Sequence, residues 1–296
     1  MSLISKFETV REDPRVVWLR LLQWQFQIRG HQGDAVMAED WDNLLILDAC
    51  RYDLFEQVYS PSQNLESRTS LGTNTAEFLE RNFLGNHFPD TVYITANPQV
   101  RAHSADDCFH DCIHLWDTDW DEEYQTVLPE TVASAAVKTQ QEYPNKRLIV
   151  HFIQPHYPFI GETGSQVPHR TLSNTGLISG AESEISIWDR LARGDIDSEL
   201  VKQAYQENLE LTIPHVKNLI EDLIGKSIVT SDHGNAFGRL GIYGHPRECY
   251  IRELTQVPWL VCDTGERKQV TTEPSTTPAN TDGDIDQRLR DLGYLD

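Results

Sequence analysis

The chain has 296 residues, with 46 acidic against 25 basic side chains, a formal charge of -21 and 39% hydrophobic residues. The apolar set is rich in Trp, Tyr, Phe and aliphatic residues, which excludes wholesale disorder and suffices for one large core, so the chain reads as one domain with appendages. The charge excludes a broad electrostatic grip on nucleic acid or anionic lipid, since both need a positive footprint.

Residues 14–29 (PRVVWLRLLQWQFQIR) place Trp18, Leu21, Leu22 and Trp24 at helical spacing. This reads as a helix packed on the domain in preference to one resting on a membrane surface. With the rest of residues 1–40 it forms an N-terminal extension. The catalytic domain is expected over 41–268. Short apolar, β-branched runs predict strands at 43–47 (NLLIL), 91–95 (TVYIT), 147–153 (RLIVHFI), 227–230 (SIVT) and 257–261 (VPWLV). Helical patterns fall between them at 75–83, at 129–142 with Pro at its first turn, and at 198–224 with an interruption near Pro214. Strands alternating with helices predict an α/β fold, a mostly parallel sheet with helices on both faces. Residues 161–197 are Gly- and Ser-rich and read as a long excursion over one sheet edge. Residues 269–284 form a Thr/Pro-rich linker, and IDQRLRDLGYL after it reads as a short helix docking back on the domain, completing a 269–296 appendage. There are no internal repeats.

No run approaches the roughly 20 apolar residues of a membrane span, and no secretion signal is recognisable. The cytoplasm is the expected location. The five cysteines are then reduced thiols rather than a disulfide framework. Cys108, His110, Cys112 and His114 alternate, but four ligands on one straight strand cannot wrap a tetrahedral ion. Asp117, Asp119 and Asp121 start like a calcium loop, but Glu122 stands where Gly is required and Leu128 where the bidentate Glu belongs. Of the 25 basic residues only 7 are Lys. This Lys-poor, Asp-rich balance suits molar salt, where the Debye length falls to roughly 3 Å and self-repulsion is screened. Thermal stability is therefore expected to rise with salt, and coincident melts in low and molar salt would contradict that expectation.

The chemistry concentrates just after predicted strands, where open α/β sheets place their sites. In NLLILDACRYD, Asp48 ends a hydrophobic strand, an unfavourable place for a carboxylate unless it is paired or binds a metal. In SIVTSDHGNAFG, Asp232 and His233 follow a strand and precede Gly234, which would allow a sharp turn that gathers oxygen and nitrogen ligands around one ion. In SLGTNTAEFLERNF, Thr75 opens a helix. Its plain reading is an N-cap, and its functional reading is a hydroxyl placed where free N–H groups and the helix dipole attract an anion.

ILDACRYD, the Thr-bearing turn, QPHYPF, SDHGNAFG, the following GH and VPWLV together resemble the alkaline phosphatase superfamily, particularly its sulfatase-like and lipoteichoic-acid-synthase-like members, over residues 41–262. The resemblance implies an alkaline-phosphatase-like sandwich and a divalent ion held by Asp48, Thr75, Asp232 and His233, with Thr75 as nucleophile. It makes His156 the residue contacting the transferred group and His245 a ligand of substrate or of a second ion. Thr73 and Ser70 are alternative nucleophiles. Arg51, Arg247 and Arg252 are the cations available to the substrate's remaining oxygens. His151, within a strand, and Cys50 read as core residues.

The departures narrow the reading. Two-metal members carry an Asp with a His four residues later, whereas here His156 is followed by Ile160, which argues against a complete second site. No Cys or Ser stands in the C/S-x-P-x-R motif that makes formylglycine. Mixed O and N ligands suit Zn or Mn better than Ca, with Mg also open. The expected function is a metal-dependent hydrolase or phosphotransferase acting on phosphate esters. A sulfatase, a transferase of lipid- or glycan-linked phospho-groups and a non-catalytic binding module are the alternatives. The expected partner is an anionic ester, lipid- or glycan-linked in the transferase case, with no nucleic acid.

Overall fold

The computed structural model describes residues 24, 31–59, 64–167, 186–263, 265–273 and 285–294. Trp24 apart, the helix expected at 14–29 lies outside them, as do residues 168–185 of the 161–197 excursion and the greater part of the 269–284 linker. The described end of the excursion carries a helix at Ile187–Arg193. Among the described residues no helix is long and apolar enough to cross a membrane.

The strands are β1 (Asn43–Leu47), β2 (Leu65–Thr69), β3 (Phe88–Thr95), β4 (Phe109–His114), β5 (Arg147–Phe152), β6 (Ser227–Thr230), the short pair β7 (Ala236–Phe237) and β8 (Tyr243–Gly244), and β9 (Gln256–Cys262). Seven form one sheet in the order β2-β9-β6-β1-β5-β3-β4. β1 pairs in parallel with β5 and β6, and β3 with β4 and β5, while β9 runs antiparallel to β6 and β2. Two antiparallel steps return β2 to the common direction. The carboxyl ends of β1, β2, β3, β5 and β6 therefore emerge at one edge, and the site lies there.

The helices are α1 (Tyr52–Tyr59), α2 (Thr75–Asn82), α3 (Pro129–Glu142), α4 (Ile187–Arg193), α5 (Ser198–Asp222) and α6 (Ile285–Asp291), with shorter turns between. β1 is buried along its whole length, so its alternating side chains feed two cores. Leu45 and Leu47 join Val150, Phe152 and, from α3 and α5, Val132, Ala136, Leu209, Ile213 and Val216. Leu44 and Ile46 join Ile149, Trp259 and, from α2, Phe78 and Leu79. Burying each such aliphatic side chain contributes about 1.5–3 kcal/mol. Helices on both faces of a mostly parallel sheet are the architecture expected from the alternation of patterns.

Two elements differ from expectation. The long helix is not interrupted at Pro214; α5 is continuous through it. The carbonyl that loses its partner there belongs to Glu210, an exposed residue whose oxygen water can reach. Thr75 is not the cap of α2. Asn74 takes that place, its side-chain oxygen accepting from Glu77 N–H at 2.9 Å, and Thr75 becomes the first helical residue. α6 and the turn after it close the first core through the fully buried Leu292, with Ile285 and Tyr294 packed against it.

Candidate active site

Asp48 continues the β1–β5 ladder one residue beyond the strand. Its N–H donates to Phe152 O and its carbonyl accepts from His156 N–H, both at 3.2 Å, so the aspartate and the histidine of QPHYPF share one scaffold. Asn208 of α5 fixes the rest of that turn, donating to the carbonyls of Pro155, His156 and Pro158 and accepting from Ile160 N–H. Ala49 adopts a left-handed φ of 59°, a conformation costing an L-residue about 1–2 kcal/mol. The turn aims Ala49 N–H at Asp232 Oδ1 (3.0 Å) and Cys50 N–H at Ser231 Oγ (2.8 Å).

Asp232 and His233 leave β6 fully buried. Gly234 follows for a reason other than a sharp turn. Its φ is not in the left-handed region, but a Cβ there would collide with the Glu253 carbonyl, against which the backbone packs while Gly234 N–H donates to Leu254 O.

Thr75 Oγ1 donates to Asp232 Oδ2 at 2.8 Å and lies 3.3 Å from His233 Nε2. His233 Nδ1 faces the Gly234 carbonyl at 2.8 Å and must carry the ring proton, which leaves a lone pair on Nε2. That lone pair is 3.3 Å from Asp232 Oδ2 and 3.7 Å from Asp48 Oδ1. Asp48 Oδ1 is buried and has no hydrogen-bond partner. Several acceptors thus converge with only the Thr75 proton among them. A divalent cation fits this donor set, with Asp48, Asp232, His233 and Thr75 as its holders.

The other two hydroxyls are engaged elsewhere. Ser70 Oγ donates to the Asp232 carbonyl, and Thr73 Oγ1 donates to Glu77 Oε2 at 2.7 Å. Glu77 is itself fully buried and accepts in addition from Thr73 N–H, Glu248 N–H and Tyr250 OH, so it binds the first turn of α2 to the segment after His245.

The structure brings His156 and His245 to the same place. The His245 ring lies 4.8 Å from His233 and 5.0 Å from His156 between centroids. His156 Nδ1 donates to Tyr157 O and His245 Nδ1 faces Asn235 Oδ1, so each also turns Nε2 away from its anchor. The arginines are held outside this group. Arg51 forks onto Asp53 and reaches Asn235 O, half-exposed Arg247 bonds Glu80, and Arg252 bonds Gln256.

Burial and the neighbouring Asp232 charge push the Asp48 carboxyl well above the usual range, although bonds from Tyr294 and Asn97 oppose the shift. Burial also acts on Asp232, but His233, His151, the Ala49 N–H and the Thr75 hydroxyl outweigh it and hold that carboxyl below the usual range. Burial lowers His151 and His156 to about 4, and lowers His245 as well. Between pH 6.5 and 4 the unfolded chain therefore takes up protons that the folded rings refuse, so stability falls as pH falls. Each of His151 and His156 contributes a loss on the order of 3 kcal/mol by pH 4. Asp48, shifted the other way, offsets part of it. In metal-free protein the urea midpoint should drop steeply from pH 7 to pH 4.5, and a flat profile would show that these rings charge without unfolding.

No protein-family model and no curated protein matches the chain. Solved structures do match it. The C-terminal periplasmic domain of phosphoethanolamine transferase EptC from Campylobacter jejuni aligns over 75% of this chain and 78% of its own, with a TM-score of 0.51 and 16% identity. The corresponding EptC domain from Escherichia coli, in complex with Zn, aligns over 80% and 76% at a TM-score of 0.48 and 12% identity. A putative sulfatase from Bacteroides thetaiotaomicron aligns over 78% and 66% at 0.46 and 10%. The chain has an alkaline-phosphatase-like fold.

Three further side chains belong to the site of this alkaline-phosphatase-like domain and escaped the sequence reading. His151 is fully buried on β5, with Nδ1 2.9 Å from Tyr93 OH and Nε2 3.7 Å from Asp48 Oδ2. Ligand atoms of Asp48, His151 and Asp232 all lie within 4.8 Å of one another. Its signal in the sequence is a lone imidazole in a largely apolar strand, a pattern that a core residue also gives. Asn97, two residues past β3, donates to Asp48 Oδ2 at 2.6 Å. Tyr294, from the far end of the chain, donates to the same oxygen at 2.6 Å. Nothing in its local sequence pointed there.

Proposed function

We propose that this chain is a metal-dependent enzyme of the alkaline phosphatase superfamily that cleaves or transfers phosphate esters through Thr75. The observation that carries this reading is the Thr75 hydroxyl at the N-terminus of α2, bonded to Asp232 Oδ2 and 3.3 Å from His233 Nε2. A divalent cation, Zn or Mn by the mixed donor set, supplies at such a site positive charge that favours the ionised hydroxyl and neutralises oxygens as charge moves in the transition state.

The chain's own residues do the rest. The first-turn N–H groups of α2 face the anion. Thr75 Oγ1 bonds to phosphorus as the bond from phosphorus to the leaving oxygen breaks. Its proton passes to Asp232 Oδ2, the oxygen it already contacts, and the leaving oxygen takes a proton from water. In the second half the Thr75 Oγ1–phosphorus bond breaks and Oγ1 recovers the proton from Asp232. In the return step Nε2 of His156 or His245 takes a proton from water, or from an acceptor alcohol in the case of transfer. Both rings are suited to this role because burial keeps them neutral at pH 7 with that nitrogen's lone pair free. Arg51 and Arg247 would have to exchange Asp53 and Glu80 for substrate oxygens before serving as phosphate ligands. Without a formylglycine motif, phosphate is favoured over sulfate. The Lys-poor acidic surface supports work in molar salt, and a cytoplasmic setting suits the free thiols.

The test is metal content of protein purified in high salt, followed by turnover of p-nitrophenyl phosphate, its phosphodiester analogue and the sulfate, with and without chelator. Near one equivalent of metal and chelator-sensitive phosphoester cleavage support the reading. Turnover of the sulfate alone, or no metal and no turnover from folded protein, overturns it.

A further inference from the structure

The C-terminal segment reaches the site through one side chain. Tyr294 OH donates to Asp48 Oδ2 at 2.6 Å and accepts from Asn97 Nδ2 at 3.0 Å, while Asn97 Nδ2 also contacts Asp48 Oδ2. These three groups close a ring of hydrogen bonds on one carboxylate oxygen and leave the other, Oδ1, facing His233 Nε2. The phenol ring stacks on His156 with centroids 5.0 Å apart and planes at 15°, and its centroid is 6.1 Å from that of His245. Leu289 and Leu292, both buried, anchor the turn that carries it.

We propose that Tyr294 is a positioning residue for both halves of the site, its hydroxyl orienting Asp48 toward the cation and its ring orienting His156 toward the substrate. The inference rests on the metal-dependent reading above. A carboxylate with one oxygen saturated by two donors presents the other in a fixed direction, and such supporting bonds typically change metal affinity by about 10- to 100-fold. A stacked ring pair limits rotation of the imidazole, an interaction corresponding to roughly a two- to tenfold change. The two functions reside in different atoms and can be separated.

Tyr294→Phe keeps the ring and removes the hydroxyl, whereas Tyr294→Leu removes both. Mn2+ affinity is measured by equilibrium dialysis, kcat and KM are measured with p-nitrophenyl phosphate, and the melting temperature of each metal-free protein is recorded. Tyr294→Phe should bind Mn2+ about 10- to 100-fold more weakly, with KM at saturating metal within about twofold of the parent. Tyr294→Leu should show the same loss of affinity and, in addition, a KM raised about two- to tenfold. Unchanged Mn2+ affinity in Tyr294→Phe overturns the hydroxyl's role, and equal KM in the two variants overturns the ring's. A drop in metal-free melting temperature that accounts for all the losses reduces Tyr294 to a packing residue and also overturns the proposal. Asp232→Asn, assayed in parallel, reports on the underlying reading. If it too binds Mn2+ as the parent does, the metal site is elsewhere and the failure is not specific to Tyr294.

Discussion

Asp232→Asn should empty the site of its cation, lowering affinity by at least about 10³-fold, and take phosphoester turnover to background while the protein stays folded. The amide is nearly isosteric and its remaining oxygen can still accept from Ala49 and His233 N–H, so the turn that joins β6 to β1 keeps its bonds. What changes is the face toward Thr75 and His233. An NH2 group in place of Oδ2 points donors at the Thr75 hydroxyl and at the His233 lone pair, filling the volume that a cation would occupy. The substitution also removes one of two buried carboxylates and with it the repulsion that raises Asp48. The relief of Asp48 is offset by loss of the interactions that hold the Asp232 carboxyl below its usual range, so metal-free Asp232→Asn should melt close to the parent. Elemental analysis with a thermal melt reads both quantities, and a parent-like metal content would sink the assignment.

Thr75→Ala should separate chemistry from binding in the opposite way. Asp48, Asp232 and His233 remain, so metal content should stay near that of the parent, while kcat falls by about 10³-fold or more with the loss of the nucleophile. Thr75→Ser, which restores a hydroxyl on the same first turn, should recover part of the rate. Full activity in Thr75→Ala would mean that water attacks directly. Neither neighbouring hydroxyl offers a simple substitute, because Thr73 is bound to Glu77 and Ser70 to the Asp232 carbonyl.

The legible parts of this molecule were those whose physics is local. Five strands of the main sheet announced themselves as apolar, β-branched runs because interior strands, four of them parallel and β9 antiparallel, are covered on both faces. β2 and β4 did not, since LESRT and FHDCIH lie at the two edges of the sheet and carry polar side chains that an edge tolerates. Asp48, Asp232 and His233 were visible because a charge at the end of a buried strand demands an explanation. His151, Asn97 and Tyr294 are defined by neighbours 49 to 246 residues away in Asp48 and 58 residues away in Tyr93, pairings that the topology creates and no window of sequence contains. Pro214 misled for a similar reason, because the helix around it is held by its packing on α3 and the core rather than by its own propensity.

The buried carboxylate of Glu77 couples two parts of the catalytic edge that are distant in sequence. By accepting from Thr73 on one side and from Glu248 and Tyr250 on the other, it turns the loop that presents Thr75 and the arm that carries His245 into one mechanical body. Separating them would cost the buried Glu77 the bonds from Glu248 N–H and Tyr250 OH, leaving it to Thr73 and Arg81. Amides in the two segments should therefore exchange with solvent as a single cooperative unit, and hydrogen exchange at distinct rates would contradict the coupling. Thr75 and His245 would then keep their relative alignment as long as the bonds to Glu77 hold.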